Sequence, residues 1–140
     1  VLVDQQEKRA WEFDPALFSA ERVHLPTGDY TVRGLETELV LERKSLGDFV
    51  TSVIHDWLRH RKRFYRMAGF EVAAVVVEAD LGDVWERRYE SEAEPASVVG
   101  KAVAIHLDHG IPVYFWGNRV HCVPMVERFL LQAVKKLGGV

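Results

Sequence analysis

Gly28-Asp29-Tyr30-Thr31-Val32, a short gap around Gly34, and Glu38-Leu39-Val40-Leu41-Glu42-Arg43-Lys44-Ser45 decide how this chain folds. Two runs rich in β-branched and apolar residues flank a glycine, which predicts a β-hairpin with strands at Tyr30 to Val32 and Glu38 to Glu42. Pro26-Thr27-Gly28 is a turn that feeds the first strand. Residues two apart on a strand share a face, so Glu42 and Lys44 project together and Arg43 projects oppositely. Closing the hairpin brings Asp29, at the start of one strand, alongside Glu42 near the end of the other.

The rest of the chain extends this unit. Upstream, Val1-Leu2-Val3 reads as a short buried strand ending at Asp4, and Arg22 to Leu25 as another strand. Trp11 to Ala20 has no clear period and contains Pro15. Downstream, Ser45 opens a helix with Leu46, Phe49, Val50 and Val53 at helical spacing, and a second helix runs from about Asp56 to Ala68. Val72-Ala73-Ala74-Val75-Val76-Val77 suits a strand covered on both faces. A loop rich in Glu and Ser follows around Tyr89 to Pro95. Val98 to Leu107 then predicts a helix ended by Gly110. Ile111 to Trp116 predicts a strand, and Pro124 to Leu137 an amphipathic helix with Val126, Phe129, Leu130 and Val134 inward. A hairpin followed by α-β-α-β-α gives one α/β domain over residues 1–140, with a central mixed sheet flanked by helices.

Composition narrows the functional classes. The 140 residues carry a net charge of −3, so nucleic-acid binding requires a local basic patch. Arg59, Arg61, Lys62, Arg63 and Arg66 supply one, and on a helix they form a basic face for phosphates. The bland alternative is a solvated charged face. Arg61 is the informative member, because it falls between Leu58 and Tyr65. No apolar run is long enough to span a bilayer, and no signal peptide is visible. The chain starts at Val1, so its N-terminus is read as trimmed. Cys122 is the single cysteine, which excludes an internal disulfide and points to a reducing cytoplasm.

Asp29 and Glu42 are two converging carboxylates, a donor set for Mg²⁺ or Mn²⁺. Lys44 beside such an ion is placed to orient or polarise a water. The triplet alone is a weak pattern, since charged strand ends are usually solvated. Asp4 and Asp48 add to it, although Ser45-Leu46-Gly47-Asp48 also reads as a helix cap with Asp in place of Glu. His106 and His109 read as helix-end histidines rather than ligands, Cys122 as a small buried residue, and Phe115 and Trp116 as core or dimer contacts.

At these residues the chain resembles the ERCC4-type nucleases, the family of XPF-like and Mus81-like structure-specific endonucleases. Gly28-Asp29-Tyr30, Glu42-Arg43-Lys44-Ser45 with Asp48, and Val3-Asp4-Gln5-Gln6-Glu7 carry the resemblance. The Glu71 to Glu78 strand and Gly110-Ile111-Pro112-Val113 extend it over nearly the whole chain. It implies a restriction-endonuclease-like fold and divalent-metal cleavage of DNA, with flap, fork or branched DNA as the expected substrate. It implies that Asp29 and Glu42 are metal ligands with Asp4 close by, that Lys44 is the catalytic lysine, and that Arg43 and Asp48 form a supporting, paired motif. Glu7 matches the family's acid in the first motif. Two positions depart from the pattern. Gln6 stands where the family has Arg, which removes a bidentate clamp. Asp56-Trp57 stands where relatives have Gly-Arg. Gln6 keeps open a second reading, a catalytically weak or inactive DNA-binding or scaffolding subunit of the same fold. No helix-hairpin-helix module follows, so a separate DNA-binding or helicase partner is an expectation. A homodimer built from the C-terminal half, with Val113, Phe115, Phe129 and Leu130 near the contact, is another.

Overall fold

The computed structural model describes residues 1–138. Six strands form one mixed sheet: β1 (Leu2–Asp4), β2 (Glu21–Val23), β3 (Tyr30–Thr31), β4 (Leu39–Lys44), β5 (Val72–Val77) and β6 (Val113–Phe115). Their spatial order is β2-β1-β3-β4-β5-β6. The hairpin β3–β4 is antiparallel, with Tyr30 opposite Leu41. β3 also runs antiparallel to β1, whereas β1–β2, β4–β5 and β5–β6 are parallel.

Helices cover both faces. On one side lie α1 (Leu46–Val50), α2 (Trp57–Met67), α3 (Leu81–Trp85) and α4 (Pro95–His109). They close a core of Val40, Phe49, Val50, Val53, Phe64, Met67, Val75, Val77, Val98 and Ile105. On the other lies α5 (Arg119–Gly138), packed with the segment around Trp11 over Val3, Tyr30, Leu39, Leu41, Ala74 and Val76. The alternation along β4 and β5 explains this partition. Val40, Val75 and Val77 face the first layer, and Leu39, Leu41, Ala74 and Val76 face the second. A parallel strand between parallel neighbours must be apolar on both faces, which the Val72–Val77 run satisfies.

The boundaries differ from the sequence reading in instructive places. The strand expected at Arg22 to Leu25 is Glu21–Val23, and that expected at Ile111 to Trp116 is only Val113–Phe115. The helix expected from Val98 starts at Pro95, where proline's missing N–H leaves no bond unmade, and Gly110 closes it in the left-handed conformation. α5 begins at Arg119 rather than Pro124. Asn118 accepts the His121 N–H with its backbone and side-chain oxygens, and the helix continues through the proline in its second turn. The short α3 has no counterpart in the sequence reading. Leu58 and Tyr65 do not form an apolar stripe around Arg61; both are exposed, and α2 buries Phe64 and Met67 instead. Leu130 lies fully inside the α5 core and is unavailable for a contact between copies. Phe129 packs against Tyr114 and Trp116. Cys122 is a buried thiol, pushed up to about 12 by burial. No helix among the described residues is long and apolar enough to cross a membrane.

Candidate active site

The candidate site forms where β1, β3 and β4 end together. Extending their registers by one residue sets Asp29 across from Asp4 on one side and from Glu42 on the other. The backbone fixes this arrangement: Asp4 N–H donates to the Asp29 carbonyl at 2.8 Å, and Asp29 N–H to the Leu41 carbonyl at 2.8 Å. Gly28 makes the approach possible. Its φ is +76°, and a Cβ there would fall 2.0 Å from Val40 Cγ2, so neither the conformation nor the space admits a side chain.

A cleft of about 390 Å³ opens over these ends, lined by Asp4, Gln6, Glu7, the His24–Asp29 turn, Glu42, Arg63 and Arg66. Glu42 is 4% exposed. Its Oε1 accepts from Arg63 Nη1 at 2.9 Å, while Oε2 is buried with no hydrogen-bond partner. Asp29 Oδ2 accepts the Arg43 backbone N–H at 2.8 Å. Burial, then the adjacent Glu42 charge, pushes the Asp29 carboxyl up to about 8. Burial also raises Glu42, opposed by the positive charges of Arg63 and Lys44. A buried carboxylate beside a half-buried one, with Glu42 Oε2 lacking a hydrogen-bond partner, is an acidic pair that a divalent cation would satisfy. The residues present therefore fit a hard, oxygen-ligated ion such as Mg²⁺ or Mn²⁺ held by Asp29 and Glu42.

Asp4 enters this group only in part. It lines the cleft, but its Oδ1 accepts the Leu25 N–H at 3.0 Å and its Oδ2 the Gln6 N–H at 3.4 Å. Among the described residues, no three His, Cys, Asp or Glu side chains cluster closely enough to hold an ion by themselves. The expected third acid is thus committed to holding the turn.

Lys44 projects to the same face as Glu42, as strand alternation requires. Its Nζ donates to Ser52 Oγ at 3.2 Å, and Ser52 Oγ donates in turn to the Asp48 carbonyl at 2.8 Å. Ser52 lies in a wide π turn, Thr51–His55, that continues α1. Ser45 caps α1 by accepting the Asp48 N–H at 3.1 Å. A reciprocal capping box with aspartate in the glutamate position does occur at the start of α3, between the cap residue Asp80 and Asp83 of its first turn. The expected Arg43–Asp48 pairing is absent, because Arg43 points to the opposite face. Its Nε and Nη2 grip both Glu7 oxygens at 2.8 and 2.7 Å, and its Nη1 reaches Glu78 Oε1 at 3.2 Å. Asp48 sits exposed on the Lys44 side.

Glu78 was not legible as a site residue. Its Oε1 accepts from Trp11 Nε1 at 2.6 Å, from Arg43, and from Arg119 Nη2 at 2.9 Å. Arg119 also holds the Ala10 carbonyl at 3.0 Å. The available signal was the repeated pattern of an apolar strand ending in Glu, Leu39-Val40-Leu41-Glu42 and Val75-Val76-Val77-Glu78. In the parallel register Lys44 pairs with Val77, so Glu78 follows directly beside the motif.

The basic cluster divides. Arg63 and Arg66 line the cleft, whereas Arg59, Arg61 and Lys62 lie exposed away from it, with Arg59 paired to Asp56 at 3.4 Å. His106 and His109 occupy the last turn of α4, and His109 packs edge-on against Tyr65 at 4.9 Å.

This geometry has known counterparts. XPF from Aeropyrum pernix superimposes with a TM-score of 0.75 at 24% identity, over 99% of this chain and 63% of that one. XPF from Aeropyrum pernix in complex with DNA gives 0.72 at 23% identity, over 96% and 64%. This chain therefore spans under two thirds of those proteins, and at such identity the likeness establishes the fold, that of the restriction-endonuclease-like XPF nuclease domain. No curated protein sequence is a match. The model of the ERCC4 domain matches residues 3–129, which takes in all six strands except Leu2 together with every residue lining the cleft, and the chain belongs to the ERCC4 domain family.

Proposed function

We propose that this chain is a divalent-metal-dependent DNA endonuclease acting on flap, fork or branched DNA, with residues 1–140 forming a single nuclease domain. The observation that carries the reading is the Asp29–Glu42 pair, with Glu42 buried and one of its oxygens unpartnered, beneath a cleft walled by Arg63 and Arg66. Asp29 and Glu42 would hold Mg²⁺ or Mn²⁺, which supplies a water of lowered pKa and neutralises charge on the phosphate. Arg66 binds a backbone phosphate and sets the strand along the cleft. Lys44 spends one of three N–H donors on Ser52, leaving two to orient a water and to stabilise charge as the phosphodiester is attacked. Arg43 positions β4 from behind, through Glu7 and Glu78, and contacts no substrate.

A second reading is favoured by one observation. Gln6 lines the cleft where the family resemblance has an arginine, so a weak or silent subunit that binds DNA without cutting it is the alternative. A homodimer, a helicase or DNA-binding partner and a cytoplasmic setting complete the proposal. Its test is cleavage of hairpin, flap, fork and linear duplex DNA with Mg²⁺ and with Mn²⁺. Cutting near a branch in either metal supports the endonuclease. Retained DNA binding with no cutting of any substrate rejects it for the silent subunit.

A further inference from the structure

Arg63 stands in two systems at once. It projects from α2 into the cleft beside Arg66, three residues on, and it also holds Glu42 Oε1 at 2.9 Å. Its side chain is 35% exposed, whereas that of Glu42 is 5% exposed, so the carboxylate is fixed and the guanidinium has room to move. Arg66 makes no ion pair among the described residues and already faces the cleft. The Asp29–Glu42 pair thus has one ion-paired guanidinium, with the Lys44 charge nearby, and space for a stronger partner. A divalent ion and a guanidinium on one carboxylate repel each other at such short range, and the doubly charged, more compact ion holds the carboxylates more tightly. A guanidinium displaced from Glu42 remains tethered in the cleft, where a backbone phosphate is the geometry-matched bidentate acceptor.

We propose that Arg63 is a partner-exchanging phosphate ligand: Glu42 holds it while the carboxylate pair lacks a metal ion, and ion uptake hands it to a DNA phosphate beside Arg66. The proposal rests on the nuclease reading above. It makes metal and DNA binding reciprocal, each tightening the other by the same factor. Without metal, one of the two cleft arginines is neutralised, which keeps the protein from gripping DNA unproductively.

Calorimetric titration with Mn²⁺ in the absence of DNA tests the first half. R63Q should bind Mn²⁺ about tenfold more tightly than the wild type, since a charge-assisted hydrogen bond no longer competes, and R66Q should bind it as the wild type does. Equal or weaker Mn²⁺ binding by R63Q overturns the exchange and leaves Arg63 a prop for Glu42. A wild type that takes up no Mn²⁺ overturns the metal-dependent reading itself. A second measurement needs only the wild type. Saturating Mg²⁺ should shift the Arg63 Nε–H resonance and speed its exchange with water, while Arg43, clamped by Glu7 and Glu78, stays fixed. An Arg63 signal that does not move overturns the proposal. For the second half, duplex affinity is compared in a Lys44→Ala background with EDTA and with Mn²⁺. Adding R63Q should leave the EDTA value unchanged and remove most of the gain from Mn²⁺, whereas R66Q should weaken both. An undiminished gain in R63Q shows that the released arginine does not reach DNA.

Discussion

Glu42 and Arg43 are neighbours on one strand, yet the two sides of the sheet they face differ in kind. Behind β4, Arg43 meets Glu78 and holds Glu7, which also borders the cleft, and Glu78 receives Trp11 and Arg119 as well, so both of these carboxylates are paired. In front, Asp29 and Glu42 share one arginine, and a buried oxygen stays unmatched. Carboxylates that are all paired fix geometry even with Arg119 Nε left unmatched, whereas a buried carboxylate oxygen without a partner keeps affinity for a cation that arrives later. The contrast separates residues that position from residues that react, and substitutions on either side can break it.

The largest effect should come from the front. Lys44→Ala should lower turnover by about a thousandfold or more, the scale of losing a group that acts on the transition state, while Mn²⁺ and DNA binding stay near those of the parent. Single-turnover cleavage beside direct binding measurements checks this, and parental rates in the mutant reject the assignment. Next comes the back. Glu78→Ala removes the acceptor shared by Trp11, Arg43 and Arg119, leaving Arg43 on Glu7 and Arg119 on backbone carbonyls, which should cost about 3 kcal/mol and lower Tm by roughly 10 °C. A calorimetric scan showing a drop of only a degree or two would mean that the network holds nothing.

A smaller effect comes from the raised acid. The Asp29 carboxyl stands at about 8 in the fold against an ordinary value of 3.8, so the folded state binds the extra proton between those values. Stability without metal should therefore be greatest at low pH on this group's account, fall as pH rises through that window, and level off above about 8. Asp29→Asn should flatten the profile and raise Tm at pH 8 by roughly 4 °C or more without metal. An unchanged slope from pH 5 to 8 would show that the two carboxylates do not crowd each other. The smallest effect concerns which arginines reach DNA. Arg66→Glu should weaken binding at low salt and reduce the salt slope by about one, and Arg61→Glu should do much less. The reverse ranking would move the DNA off the cleft and onto the exposed face of α2.

Much of this was legible in the sequence because it is local or periodic. The glycine turn, the hairpin and the alternation of Glu42, Arg43 and Lys44 follow from spacing alone, and Val72–Val77 declares its own burial. What was hidden is long-range or short. Glu78 and Arg119 are 41 residues apart, and nothing in either segment names the other. The five residues of α3 are too few to show a period. Pro124 disguised the first turn of α5. Strand alternation argues against an Arg43–Asp48 pairing, since Lys44 and the α1 cap share the face that Arg43 leaves. Asp4 is expected from the motif as a further acid at the metal site, and its role as acceptor of the Leu25 and Gln6 N–H groups is invisible without the turn that supplies them.

Diffraction from crystals soaked in Mn²⁺, recorded at the manganese absorption edge, tests the central claim most directly. The expected result is one strong anomalous peak in contact with carboxylate oxygens of both Asp29 and Glu42, with Glu42 Oε2 no longer unpartnered. A peak bound elsewhere, or none at saturating Mn²⁺ with Arg63 still closed on Glu42, would contradict a metal-dependent nuclease built on this pair.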